Sequence, residues 1–82
     1  MLSLKTIKKY ESEMKRLKVS EVARSERGFL TAYKKAGSPK KLSPDWKNKR
    51  EGFIARHNAQ YKKNPTPRRR LALIAWAYEP KR

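Results

Sequence analysis

The chain has 82 residues and no cysteine, so it forms one small domain at most, and disulfides and thiolate metal sites are excluded. Lys and Arg number 23 against 7 Asp and Glu, which gives a net charge of +16. The longest apolar run, Leu71 to Tyr78, is far shorter than the roughly 20 residues that span a bilayer, and no stretch suits a signal peptide. We therefore expect a soluble, intracellular protein that makes no use of a membrane.

The positive charge is distributed unevenly along the chain. Residues 1–33 carry a net charge of +4 and residues 34–82 carry +12. Because so dense a positive field opposes the compact state, a polyanionic partner is expected, with nucleic acid as the first candidate. Low hydropathy and high charge also fit a disordered basic tail, but eight aromatic residues favour a folded chain.

The first segment predicts an amphipathic helix from Leu4 to about Lys18. Ser3 is a suitable N-cap, and basic residues fill the last turn, where they suit a helix C-terminus. The apolar residues recur at helical spacing on one face, at Leu4, Ile7, Tyr10, Met14 and Leu17.

Residues 19–37 allow two interpretations. Either one helix begins after Ser20, or a turn precedes a helix capped by Ser25; Gly28 favours a break near Ser25. In both versions one face carries Val22, Phe29, Leu30 and Tyr33. The segment also resembles a helix-turn-helix, but the gap from Ala23 to Gly28 is one residue too long for that motif.

Residues 37–44, GSPKKLSP, predict an internal linker between two helical halves. The third helix follows, with Ser43 as N-cap and Pro44 in its first turn, and it ends before Asn64-Pro65. Its apolar face is expected to carry Trp46, Phe53, Ile54, His57 and Tyr61.

The fourth helix is predicted from Thr66, as N-cap, to about Tyr78, where Pro80 stops it. Its sequence LALIAWAY is apolar nearly all round, which places it at the centre of the packing. A strand is the alternative, but the alanines and the Thr-Pro start favour a helix. The chain is therefore predicted to be one all-α domain of three or four helices.

Three consecutive arginines, Arg68, Arg69 and Arg70, occupy the first turn of this fourth helix. Cations are unfavourable beside the unpaired N–H groups of a helix N-terminus, and the nearby acid Glu79 lies at the opposite end of the predicted helix. A bound phosphate would resolve the conflict, since guanidinium groups bind phosphate in bidentate fashion. Alternatively, the arginine stems cover the core, or the arginines pair with Glu51 or Asp45.

Other basic residues extend this candidate interface. Four lysines flank the predicted linker as a mobile basic clamp, or as an ordinary solvated loop: Lys34, Lys35, Lys40 and Lys41. The exposed side of the third helix adds four more, which either follow a phosphate backbone or keep the domain soluble: Lys47, Lys49, Arg50 and Arg56.

The aromatic residues offer possible stacking platforms for bases, although their helical spacing favours core packing. Trp76 is expected to be buried, and Trp46 or Tyr61 to be partly exposed. His57 has no cysteine or second histidine beside it, so no metal site or cofactor is expected. Asp45, Glu51 and His57 lack a nucleophile and a common direction, so we expect no catalytic site.

Two segments, KREGFIARHNAQ (residues 49–60) and PTPRRRLALIAWAY (residues 65–78), resemble a group of small basic proteins encoded by tailed phages and other large viruses. The pattern of that group is an Arg/Lys-Phe-x-x-Arg segment, followed by a Pro-Thr-Arg run that leads into Leu-Ala-Leu-x-x-Trp. Arg50, Phe53 and Arg56 match the first part of this pattern. The second part is matched by Pro65, Thr66, Leu71, Leu73 and Trp76, with Pro67 as an insertion. The resemblance covers about a third of the chain and implies a phage origin without a function.

The sequence as a whole predicts a non-enzymatic protein of phage type that contacts the phosphate backbone of double-stranded DNA with little sequence specificity. It would then lie in the host-cell cytoplasm with the nucleoid, or inside the virion. Composition alone also allows an RNA- or ribosome-associated protein, or a protein that docks on an acidic host-protein surface.

Overall fold

A computed structural model describes residues 1–19 and 21–80. Ser20, one of the two predicted N-caps, and the side chain of Val22 lie outside the described part. The helices are α1 (Leu4–Leu17), α2 (Glu21–Arg24), α3 (Phe29–Ala36), α4 (Pro44–Lys63) and α5 (Pro67–Ile74), with a 3-10 turn at Pro39–Lys41. No strand occurs among the described residues, so the all-α prediction is confirmed.

Three helices begin at the residues that the sequence indicated. The side-chain oxygen of Ser3 accepts from Thr6 N at 3.2 Å, that of Ser43 from Trp46 N at 3.3 Å, and that of Thr66 from Arg69 N at 3.1 Å. Each bond satisfies a backbone N–H group that the helix itself leaves without a partner. The N-caps of α1, α4 and α5 are therefore confirmed.

The predicted break in residues 19–37 is present, but the helix after it starts later than expected. α3 is capped by Gly28 in extended conformation, not by Ser25. Thr31 Oγ1 donates to Ser25 O at 2.7 Å, so Ser25 belongs to the turn that precedes the cap. With α2 only one turn long, this segment does not form the two full helices of a helix-turn-helix.

α5 is shorter than predicted, because it ends at Ile74 and not near Tyr78. Ala77 adopts the left-handed conformation, with φ of 63°. The N–H of Tyr78 donates to Leu73 O and that of Ala77 to Ile74 O, which is the Schellman pattern of a helix C-terminus. The chain therefore reverses direction before Pro80, and the residues after Ala77 return along α5.

α5 packs against both α1 and α4, as its apolar sequence predicted, and α3 packs against α4. The largest side chains with less than 2 % exposure are Ile7, Met14, Phe29, Leu30, Leu73 and Ile74. Leu42 is also buried in this core, so the predicted linker is a packed connection between α3 and α4.

The N-terminal residues are held against this core by backbone bonds. Leu2 N donates to Ala77 O at 2.9 Å, and the Tyr33 hydroxyl donates to Leu2 O at 2.9 Å. α1, α3 and the turn after α5 are thereby joined at one place.

Candidate nucleic-acid interface

Arg68 connects the N-terminus of α5 to the C-terminus of α1. Its Nη1 donates to Leu17 O at 2.7 Å, and its Nη2 lies 3.4 Å from Lys18 O. These carbonyls end α1, where the helix dipole is negative. The guanidinium that is unfavourable for its own helix is therefore favourable for the helix beside it.

Arg69 and Arg70 also have partners within the chain. Arg69 Nη1 donates to Asn64 O at 2.9 Å, just after the end of α4. Arg70 Nη2 donates to Glu79 Oε1 at 2.6 Å, and its guanidinium lies 5.5 Å from the centre of the Tyr10 ring. Contact with the Tyr10 hydroxyl and the bond to Glu79 both raise the pKa of Arg70.

Glu79, expected at the far end of the helix from the arginines, is the acidic partner of Arg70, and neither Glu51 nor Asp45 pairs with the triplet in the described part of the chain. Glu79 reaches Arg70 because the turn at Ala77 brings the chain back along α5. Since a carboxylate and three backbone carbonyls already occupy the triplet, a bound phosphate is not needed to explain its position.

Arg50, which belongs to α4, also donates to backbone carbonyls at the end of another helix. Its Nε donates to Trp76 O at 2.7 Å and its Nη2 to Ala77 O at 2.8 Å, at the C-terminal end of α5. Burial lowers the pKa of Arg50, although an arginine remains charged at any ordinary pH. Arg24 similarly donates twice to Val19 O, just beyond α1. These arginines act as C-terminal caps supplied by another part of the chain.

The predicted lysines lie mostly at the surface. Lys34 pairs with Glu11 at 3.1 Å. In the part of the chain that the structure describes, five predicted residues are exposed without a hydrogen bond or ion pair: Lys35, Lys40, Lys41, Lys47 and Arg56. Lys40, Lys47 and Arg50 line one groove of about 300 Å³ beside the 3-10 turn. We call the first four of these exposed residues, all lysines, the junction lysines, because they surround the connection from α3 to α4.

A second set of free lysines, which the sequence did not single out, lies on α1. Lys5, Lys8, Lys9 and Lys15 are exposed and, within the described residues, have no hydrogen bond or ion pair. The net charge of residues 1–33 is only +4, because acidic residues offset part of the positive charge, so these lysines do not stand out in the composition. The signal was their position, since they avoid the apolar face that carries Ile7 and Met14.

Four rings form a nearly parallel stack through the molecule. Trp76 lies between Phe29 and Phe53, with centroid distances of 4.9 and 4.5 Å, and Phe53 stacks on His57 at 3.9 Å. Trp46 is partly exposed, as predicted, with Lys49 Nζ 4.9 Å from its ring centre. Tyr61, the alternative candidate for partial exposure, is buried. Trp76 is only partly buried, so the expectation that it is buried was wrong.

His57 lines a groove of about 500 Å³ between the ends of α1 and α4 and the start of α5. The groove also contains Lys18, Arg68 and Arg69. Burial, and secondly the charge of Arg56, lower the pKa of His57, so its imidazole is mainly neutral at neutral pH.

Among residues 1–19 and 21–80, no three His, Cys, Asp or Glu side chains lie close enough together to hold a metal ion. No helix of that described part has the length and apolar character required to cross a membrane. Comparison of the chain with protein-family models, curated proteins and solved structures finds no match. The resemblance to phage proteins therefore stays a prediction.

Proposed function

We propose that this protein is a non-enzymatic nucleic-acid-binding protein that contacts the phosphate backbone of double-stranded DNA with little sequence specificity. The observation that supports this most is the set of exposed junction lysines, which have no described acidic partner in a chain of net charge +16. Such lysines gain most from a row of phosphates, because binding releases the counterions condensed on the polymer.

The arrangement of the helices supports backbone contact over base readout. The junction lysines extend from the last turn of α3 through the 3-10 turn to the first turns of α4. They are divided among α3, the 3-10 turn and α4, so they do not line one face of a single helix as the residues of a recognition helix do. Lysine is a mobile point charge that suits phosphates in many positions, whereas base recognition favours fixed bidentate groups.

The arginines take a different part in this proposal from the one that the sequence suggested. Arg50 and Arg70 are partly buried and hold other parts of the chain. They add to the positive field that attracts a polyanion, without being the groups that touch it. The phage origin and the location with the host nucleoid or in the virion remain part of the same proposal.

The test is fluorescence anisotropy with labelled duplex DNA, structured RNA and single-stranded DNA, each at about 50 and 200 mM salt. With six or more phosphate contacts, duplex affinity should fall roughly a thousandfold between the two salt concentrations. Tighter binding of RNA than of duplex DNA would favour the RNA-associated alternative. A flat salt response, or no binding at micromolar protein, would exclude nucleic acid and favour an acidic host protein.

A further inference from the structure

The ring stack ends at a surface groove. It begins at Phe29, which is fully buried, and continues through Trp76 and Phe53 to His57, with no interplanar angle above 19°. His57 is only partly buried and lines the groove between α1, α4 and α5. Because Phe53 stacks on one face of the imidazole and is itself stacked on Trp76, the ring orientation of His57 is restrained before any ligand arrives.

The same groove is positively charged, and among the side chains that the structure describes no acidic one lines it. It contains Lys18, Arg68 and Arg69, together with the neutral polar side chains of Gln60 and Thr66. Arg68 uses two donors on Leu17 O and Lys18 O, and Arg69 uses one on Asn64 O. A guanidinium has five donors, so both arginines keep donors for a ligand while the carbonyls fix their position.

The second basic groove provides a comparison within the molecule. It contains Lys40, Lys47 and Arg50, but also Glu51, and no aromatic ring of the described residues lines it. That groove suits a phosphate and nothing more. The groove at His57 combines cations with a fixed planar ring, which is the pairing of groups that holds a nucleotide in single-strand-binding proteins.

We propose that the groove at His57 binds one unpaired nucleotide, with the base stacked on the imidazole and the adjacent phosphates on Arg68, Arg69 and Lys18. This inference rests on the proposed function and adds a preferred location to it: a strand end, gap or loop where a base is free. The groove volume of about 500 Å³ lies within the range of sites for small ligands. The lowered pKa of His57 keeps the ring neutral beside the cationic side chains at neutral pH.

The experiment compares two labelled single-stranded oligonucleotides of about eight nucleotides. They have the same number of phosphates, but one has abasic sites at its central positions. The wild-type protein should bind the complete strand about tenfold more tightly than the abasic strand, since each stacked base contributes that much. The His57→Ala variant should bind both strands alike, and His57→Phe should restore the difference because it restores a stacking ring.

Circular dichroism confirms that each variant is folded, and the comparison of the two strands on wild-type protein does not depend on any variant. Equal, salt-dependent affinity of the wild type for both strands would exclude the nucleotide site and leave backbone binding intact. A strand difference that persists in His57→Ala would also exclude it, because the base would then be stacked elsewhere. Failure of both strands and of duplex DNA to bind would exclude the proposed function itself.

Discussion

The helices α4 and α5 use charge in opposite ways. α4 has Asp45 in its first turn and Lys62 and Lys63 in its last, as the helix dipole favours. α5 has arginines in its first turn and no basic residue in its last. The difference shows that charge placement in α4 stabilises α4, whereas charge placement in α5 stabilises its neighbours.

Arginine and lysine also differ in the partners that they have in this protein. In the described part of the chain, most arginines donate to a carbonyl or carboxylate, while most lysines are exposed without such a partner. The planar guanidinium can hold two carbonyls at once, which an ammonium group cannot do with the same geometry. Most of these arginines therefore hold parts of the fold together, and most of the lysines supply free positive surface.

The largest expected effect is a loss of stability, and it tests whether the arginine–carbonyl hydrogen bonds hold the fold together. Arg50→Met should lower the free energy of unfolding by about 3 kcal/mol, because Trp76 O and Ala77 O lose charge-assisted hydrogen bonds in a partly buried position. The melting temperature should fall by roughly 10 °C or more in a domain of this size. Thermal unfolding followed by circular dichroism measures it.

Arg56→Met is the matched control, because it removes the same charge from the same helix at an exposed position without a described hydrogen bond. Its melting temperature should stay within about 2 °C of the wild type. Equal losses in the two variants would show that the carbonyl bonds of Arg50 contribute nothing particular.

The second largest effect is a loss of affinity for duplex DNA, and it tests whether the junction lysines form the binding surface. Replacing Lys35, Lys40, Lys41 and Lys47 with Gln should weaken duplex DNA binding about thirtyfold near 150 mM salt, equivalent to about 2 kcal/mol. The slope of log affinity against log salt should become shallower by about four. The melting temperature should be unchanged or slightly higher, since positive charges repel one another less.

A variant with the same charge change in α1 shows whether the contact is local. Lys5, Lys8, Lys9 and Lys15→Gln lowers the net charge equally, and we expect a clearly smaller loss of affinity. If both variants lose affinity alike, the polymer has no preferred surface on this protein, and the junction lysines are not the interface.

A smaller effect is expected at the pair formed by Arg70 and Glu79, whose side chains are 36 % and 42 % exposed. Glu79→Gln should cost about 0.5 kcal/mol at low salt, and the difference should disappear near 1 M salt because solvent ions screen the pair. Glu13→Gln, which affects the looser pair with Arg16 at 3.7 Å, should change nothing measurable. Chemical denaturation at both salt concentrations distinguishes these outcomes.

The smallest effect concerns pH. Burial and Arg56 lower the pKa of His57 below its ordinary value of about 6.5, so the folded protein holds this proton less tightly than the unfolded chain does. Stability should therefore decrease as pH falls below about 6.5, since protonation adds a charge beside Arg56, Lys18, Arg68 and Arg69. His57→Phe keeps the stack and cannot titrate, so its melting temperature should change less between about pH 7.5 and 5.5. An equal change in both proteins would contradict this assignment.

The parts of the fold that the sequence predicted are those with local causes. The N-caps Ser3, Ser43 and Thr66 each bond to a backbone N–H three residues later, so their signal is contained in a few letters. The apolar spacing of α1 likewise identified Ile7 and Met14 as core residues. These features required no knowledge of the rest of the chain.

The parts that could not be predicted depend on distant residues. The left-handed turn at Ala77 has no sequence signal, since glycine is the residue expected there. The partners of Arg50 and Arg68 are backbone carbonyls. Every residue has a carbonyl, so residue type does not identify these partners. His57 belonged to the predicted apolar face, but only the packing of Phe53 on Trp76 shows that it ends a stack.

The hydrogen bond between Leu2 and Ala77 bears on the order in which parts of the chain can fold during synthesis. Leu2 N bonds to Ala77 O, Arg68 bonds to the end of α1, and α1 packs on α5. A ribosome synthesises α1 before α5, and α2, α3 and α4 are made between them. The apolar face of α1 therefore stays uncovered until α5 has been synthesised, and this part of the core closes through contacts that are distant in sequence. During this time the exposed lysines of α1 keep the face opposite its apolar side positively charged.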